Sequence, residues 1–130
     1  MKAEIIGILS QTLSQRNEIL FAYLHGSFLE SKTFQDIDVA VYLEETTKQD
    51  INIIEYEIAL SLLVEKQLRM AADVKALNWA PLSFRYNVSR GLLLLSRDEL
   101  KREDFLCATW MEYFDFLPIS KTYVREVLSV

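Results

Sequence analysis

The sequence predicts an α/β (α+β) domain in which helices cover one side of a small mixed β-sheet. Segments with apolar residues at helical spacing alternate with four short apolar runs, the pattern of helices laid over strands. Turn residues punctuate those runs: Gly26, the stretch 78–81 ending in Pro81, and Gly91. The 130 residues are 51% apolar and 25% charged, an ordinary globular balance. Residues 1–130 are therefore expected to form a single domain with one core and no room for a second.

The elements follow in order. Residues 2–15 carry an apolar stripe, Ile5, Ile6, Leu9 and Leu13, and read as a helix packed on the sheet. Residues 19–24 form an apolar run ending near Gly26, a buried strand. Ser27 is placed to cap a short helix through about residue 31, with residues 32–35 as the loop that follows. From Asp36 to Leu43 apolar and other residues alternate, a strand. Residues 49–68 read as a long helix whose Ile51, Ile54, Ile58 and Leu62 should cover a face of the sheet. Residues 72–77 read as extended, 81–90 as a helix begun by Pro81, and 92–95 as a fourth strand. Asp98 resembles the N-cap of a last helix over 99–116, which Pro118 should break or kink before a terminal helix over 122–130.

Composition excludes several classes. No run of about 20 uncharged apolar residues is present, so no membrane span is expected. The opening Met1-Lys2-Ala3-Glu4 lacks a secretory pattern, and Cys107, the only cysteine, allows no internal disulfide; both suit the cytoplasm. A net charge of −5 gives no general attraction to nucleic acid or an anionic membrane.

Chemistry concentrates between Tyr23 and Leu43. Asp36 and Asp38 are two apart on a strand, so both carboxylates share a face. Like charges so placed repel unless a cation lies between them, and their hard oxygens suit Mg²⁺. Ahead of them, Gly26 lets backbone approach a phosphate, and Ser27 adds an N–H and a hydroxyl. On another strand Asp73 and Lys75 share a face, so Asp73 is either a third ligand or a carboxylate paired with Lys75. His25 could touch a phosphate but reads more simply as a strand-end residue. Arg85 and Arg90 could steady pyrophosphate, although solvated helix arginines are commoner. Cys107 reads as a small core residue, and Trp110, Tyr113, Phe114 and Phe116 as core, with a partner-binding surface as the lesser alternative.

Gly26-Ser27 followed by Asp36-Ile37-Asp38 resembles the signature of the nucleotidyltransferase superfamily, with a spacing two residues tighter than the usual form. The stretches Ala72-Asp73-Val74, Leu77-Asn78-Trp79-Ala80-Pro81-Leu82, Phe84-Arg85-Tyr86 and 91–98 are similar to the latter half of the minimal nucleotidyltransferases (MNT), so the likeness runs from about residue 20 to 116. It implies a polymerase beta-like fold and ATP as substrate. In a two-metal mechanism Asp36 and Asp38 would be Mg²⁺ ligands, Asp73 a ligand and possible general base, and Gly26 and Ser27 the triphosphate cradle. It further implies an antitoxin that transfers AMP to a tyrosine of a HEPN-family toxin partner, in a hetero-oligomer. Other readings stay open: an antibiotic-type small-molecule nucleotidyltransferase, a subunit of this fold that inhibits its partner by binding alone, or a solvated domain with a chance motif.

Overall fold

A computed structural model describes residues 2–30, 36–46 and 52–128. Its elements alternate as α1 (Lys2–Ser14), β1 (Ile19–His25), α2 (Ser27–Glu30), β2 (Asp36–Leu43), α3 (Ile53–Leu68), β3 (Ala71–Ala76), α4 (Leu82–Ser89), β4 (Leu92–Ser96) and α5 (Glu99–Leu128). The four strands form one sheet in the order β3-β2-β1-β4. β1 runs antiparallel to β2 and β4, and β2 runs parallel to β3, so the sheet is mixed as expected.

Helices lie on both faces of the sheet, not on one. One face carries Leu24, Ile37, Val39, Val41 and Val74, packed with Leu9 and Leu13 of α1 and Leu60 and Val64 of α3. The other carries Phe21, Tyr23 and Ala40, packed with Val88 of α4 and Phe105 of α5. There Phe21 stacks on Tyr42 at 4.8 Å, and Phe105 tilts against Phe21 at 5.5 Å. The alternation of β2 accounts for both cores: its even positions feed the second face, its odd positions the first. A strand buried on both sides has no solvated face to leave open.

α3 departs from its expected role. Its start at Ile53 is set by Asn52, whose side chain accepts from the backbone N–H groups of Ile54 and Glu55. The expected start at 49, and Ile51 with it, lies outside the described residues. The stripe Ile54, Ile58 and Leu62 does not cover the sheet: the three side chains are 65%, 56% and 59% exposed. The reason is what the neighbouring face of α3 does. β3 is an edge strand, and its outward N–H groups meet α3 side chains in succession. Ala76 N donates to Glu57 Oε2 (2.7 Å), Val74 N to Ser61 Oγ (2.9 Å) and Ala72 N to Glu65 Oε1 (3.1 Å). Spacing of four residues on the helix matches spacing of two on the strand, since both advance about 6 Å. The edge is thereby closed to other strands, and the apolar stripe is turned to solvent.

α5 also differs. Pro118 lies inside one helix and does not end it, although its ring removes one backbone donor. Beyond Thr109 no described side chain of α5 is buried. Phe114 and Phe116 are 55% and 50% exposed, and Cys107 is exposed, so these are not core residues. Trp110 and Tyr113 instead tie α5 to α4: the indole donates to Ser89 Oγ (2.9 Å), and Tyr113 stacks on Tyr86 at 3.6 Å. Among the described residues no helix is long and apolar enough to cross a membrane.

Ser61→Ala keeps the helix propensity of α3 but strips the partner from Val74 N. Urea unfolding is expected to show a loss of about 1–3 kcal/mol, the penalty for an orphaned buried donor. A loss under a few tenths would mean that water replaces the hydroxyl.

Candidate active site

The ends of three strands meet in a row. In the antiparallel pairing His25 of β1 lies opposite Asp38 of β2, and in the parallel pairing Asp38 lies beside Asp73 of β3. Neighbouring strands are about 4.8 Å apart, so the row spans roughly 10 Å. Asp36 and Lys75 lie on the same face as the row, the face that α4 and α5 pack against.

β1 ends in Gly26, whose φ of 82° lies in the left-handed region, and α2 begins at Ser27. Gly26 O accepts from Leu29 N (3.1 Å), so Gly26 and not Ser27 holds the cap position of this four-residue helix. A side chain at 26 is disfavoured on two counts. The backbone conformation disfavours it, and a Cβ would overlap Asp38 Oδ2. Glycine at 26 thus lets the Asp38 carboxylate keep this position against the backbone. The turn between Ser27 and Asp36, with its shortened spacing, has residues 31–35 outside the described set.

The electrostatics are those of crowded acids. Burial pushes the Asp38 carboxyl above its ordinary pKa; His25 offsets this in part, and Asp73 and Asp36 add to it. Burial lowers the pKa of His25 against the pull of Asp38 and Asp73. The His25 ring meets Phe84 edge-on at 5.3 Å, and its buried Nε2 has no hydrogen-bond partner among the described residues. Asp73 is paired with Lys75 at 3.8 Å, both side chains being about half exposed.

Divalent metal fits the chemistry of this donor set. Three carboxylates on one face, one of them already resisting ionisation, are what hard cations stabilise. As they stand, no three metal-ligating side chains among the described residues converge tightly enough to hold an ion. Asp73 has turned toward Lys75, an exposed pair of the sort that contributes little and is readily exchanged.

Of the residues singled out from sequence, the structure brings Gly26, Asp38 and Asp73 together, with Asp36 one strand position outward and exposed and Ser27 beginning α2. Arg85 is not at this site. It binds Ala80 O (3.1 Å) and Glu112 (3.0 Å), linking α4 to α5. Arg90 does line a cleft of about 530 Å³ with Gly26, His25, Phe84 and Asn87. His25, read from sequence as a strand-end residue, and Phe84 also line this cleft. Alternation along β1 through 21, 23 and 25 places His25 on the carboxylate face, whereas nothing local marks Phe84.

The family described as polymerase beta, nucleotidyltransferase matches residues 8–100, well over half of the chain. A nucleotide-transferring class is what this fold and this row of carboxylates define. The chain belongs to the polymerase beta nucleotidyltransferase family. Among solved structures, it is similar to a chain of the complex of tri-AMPylated Shewanella oneidensis HEPN toxin with MNT antitoxin, at TM-score 0.74 and 18% identity, covering 98% of this chain and 99% of that one. It is also similar to a chain of the toxin–antitoxin MntA–HepT, at TM-score 0.73 and 17% identity, covering 97% and 98%. A toxin–antitoxin with AMP-PNP matches at TM-score 0.75 and 18% identity, covering 95% and 98%. At such identities these likenesses establish the fold. A comparison with curated proteins returned no match.

Gly26→Ala is expected to keep the far-UV circular dichroism of the parent while displacing Asp38. Calorimetric titration with Mg–ATP should show affinity weakened by about tenfold or more, and unfolding a loss of roughly 1–2 kcal/mol from left-handed strain. Unchanged affinity would place the nucleotide elsewhere.

Proposed function

We propose that this chain is an antitoxin-type protein adenylyltransferase that moves AMP from ATP to a tyrosine hydroxyl of a HEPN-type toxin. The observation that carries the reading is the row itself: Asp38 and Asp73 in register, Asp36 on the same face, and a positive-φ glycine against Asp38, in a chain of this family. Support for the partner comes from the similar chains, whose assemblies pair MNT or MntA with HEPN toxins, one of them tri-AMPylated.

In this reading Asp36, Asp38 and Asp73 hold divalent ions with the triphosphate. Bound Mg²⁺ supplies Lewis-acid neutralisation of the charge that develops on the phosphates. The chain's own residues do the rest. Gly26 and Ser27 offer backbone N–H groups to the triphosphate at a place where no Cβ intrudes. Asp73, half exposed on the outer strand, accepts the hydroxyl proton when it leaves Lys75. His25, at the row's other end, lines the cleft beside Gly26 that the triphosphate would enter.

Intact-mass spectrometry of the toxin after incubation with this protein, ATP and Mg²⁺ tests the reading. Mass additions of AMP are expected, and Asp36→Asn/Asp38→Asn should abolish them, with a rate loss of at least about 100-fold. An unmodified toxin that still binds tightly would instead favour inhibition by binding. Neither mass nor binding, with transfer to an antibiotic, would favour a small-molecule enzyme.

A further inference from the structure

A second cleft flanks the row on the side away from Gly26. It has a volume of about 360 Å³ and is lined chiefly by Ile53, Ala76, Trp79, Pro81 and Phe84, with Lys75 and Glu57 as its charged residues. Phe84 also lines the Gly26 cleft and touches His25, so its ring partitions the two. Lys75 sits 3.8 Å from Asp73, which joins the apolar cleft to the acceptor end of the row.

We propose that this cleft seats the ring of the acceptor tyrosine, and that the exposed stripe Ile54, Ile58 and Leu62 is where the protein carrying that tyrosine lies. The proposal rests on the adenylyltransferase reading above and adds where and how the acceptor is held. The direction of the reaction argues for it. In phosphoryl chemistry the nucleophile and the leaving group are roughly in line across phosphorus. Gly26 and Ser27 hold the departing pyrophosphate at β1, so the acceptor enters from β3, and the cleft bordering β3 is this one. The phenol oxygen forms a bond to the α-phosphorus, the bond from that phosphorus to the pyrophosphate oxygen breaks, and the phenolic proton passes to Asp73.

The lining argues for the class of acceptor. A mainly apolar slot whose two charges are of opposite sign, with Glu57 already accepting from Ala76 N, suits a phenol, with its flat apolar body and single polar tip, better than a polyhydroxylated amine. The surroundings argue for a macromolecule. Ile53 of the cleft adjoins Ile54, the first residue of a stripe that α3 turns to solvent because its neighbouring face is engaged with β3. Trp79 at the mouth is 41% exposed, so apolar surface continues from the slot along the helix. A small acceptor would leave that stripe uncovered; a protein helix laid on it would bring its tyrosine to Trp79.

The chain's two tryptophans supply the test, since Trp110 sits on α5 bonded to Ser89. On titration with N-acetyl-tyrosinamide, the Trp79 indole N–H resonance should shift saturably and that of Trp110 should not; N-acetyl-serinamide should move neither. With the toxin as acceptor, Trp79→Ala and Ile58→Glu should each raise KM by about tenfold or more, leaving Mg–ATP affinity within about twofold, and Trp79→Phe should recover most of the loss. A Trp79 resonance that does not move, or normal transfer by both variants, would overturn the proposal while leaving the adenylyltransferase reading intact. No transfer even by the parent would fault that reading, and the tyrosinamide titration would still decide the cleft.

Discussion

The site depends on strand register. His25 lies opposite Asp38, and Asp38 beside Asp73, only because β1, β2 and β3 pair as they do. A slip of one residue in β2 would send both of its carboxylates into the face filled by Leu9, Leu60 and Val64. Burial of unpaired charge there is so unfavourable that the slipped sheet is excluded. The far end of β2 is pinned as well. The Asn78 side chain accepts from Leu43 N and donates to Leu43 O, each at 2.9 Å, in the manner of an extra strand residue. The placement of these side chains is thus inherited from the packing of a two-sided core.

α3 shows how one helix can serve edge, core and surface together. Leu60 and Val64 enter the core; Glu57, Ser61 and Glu65 close the edge of β3; Ile54, Ile58 and Leu62 are left outside. Closing an edge with side-chain acceptors prevents strand addition without a further strand. An apolar stripe left exposed beside it is better suited to a helical partner than to a β-partner. Exposure of that stripe is therefore a consequence of how β3 is protected.

Much of this was legible in the sequence. Gly26-Ser27 followed by Asp36-Ile37-Asp38 marked residues that the sheet brings onto one face, because strand alternation fixes which side chains share a face. The two-sided packing was missed because β2, with Ala40 buried among polar neighbours, reads as a half-solvated strand. Ile54, Ile58 and Leu62 were misassigned to the core for a different reason. Periodicity identifies an apolar stripe but not what it meets, and the polar stripe beside it, Glu57, Ser61 and Glu65, had the stronger claim on the sheet edge. The same limit applies to Phe114 and Phe116, on a helix that runs on through Pro118. Phe84 and the two clefts it divides belong to tertiary packing, which no local pattern encodes.

The central claim is that Asp36, Asp38 and Asp73 act together on one nucleotide. Crystals grown with Mn²⁺ and a non-hydrolysable ATP analogue would test it directly through anomalous scattering. Manganese is expected where Asp36, Asp38 and Asp73 would hold it, with Asp73 rotated away from Lys75. Manganese bound elsewhere, or a nucleotide seated with Asp73 still on Lys75, would contradict it.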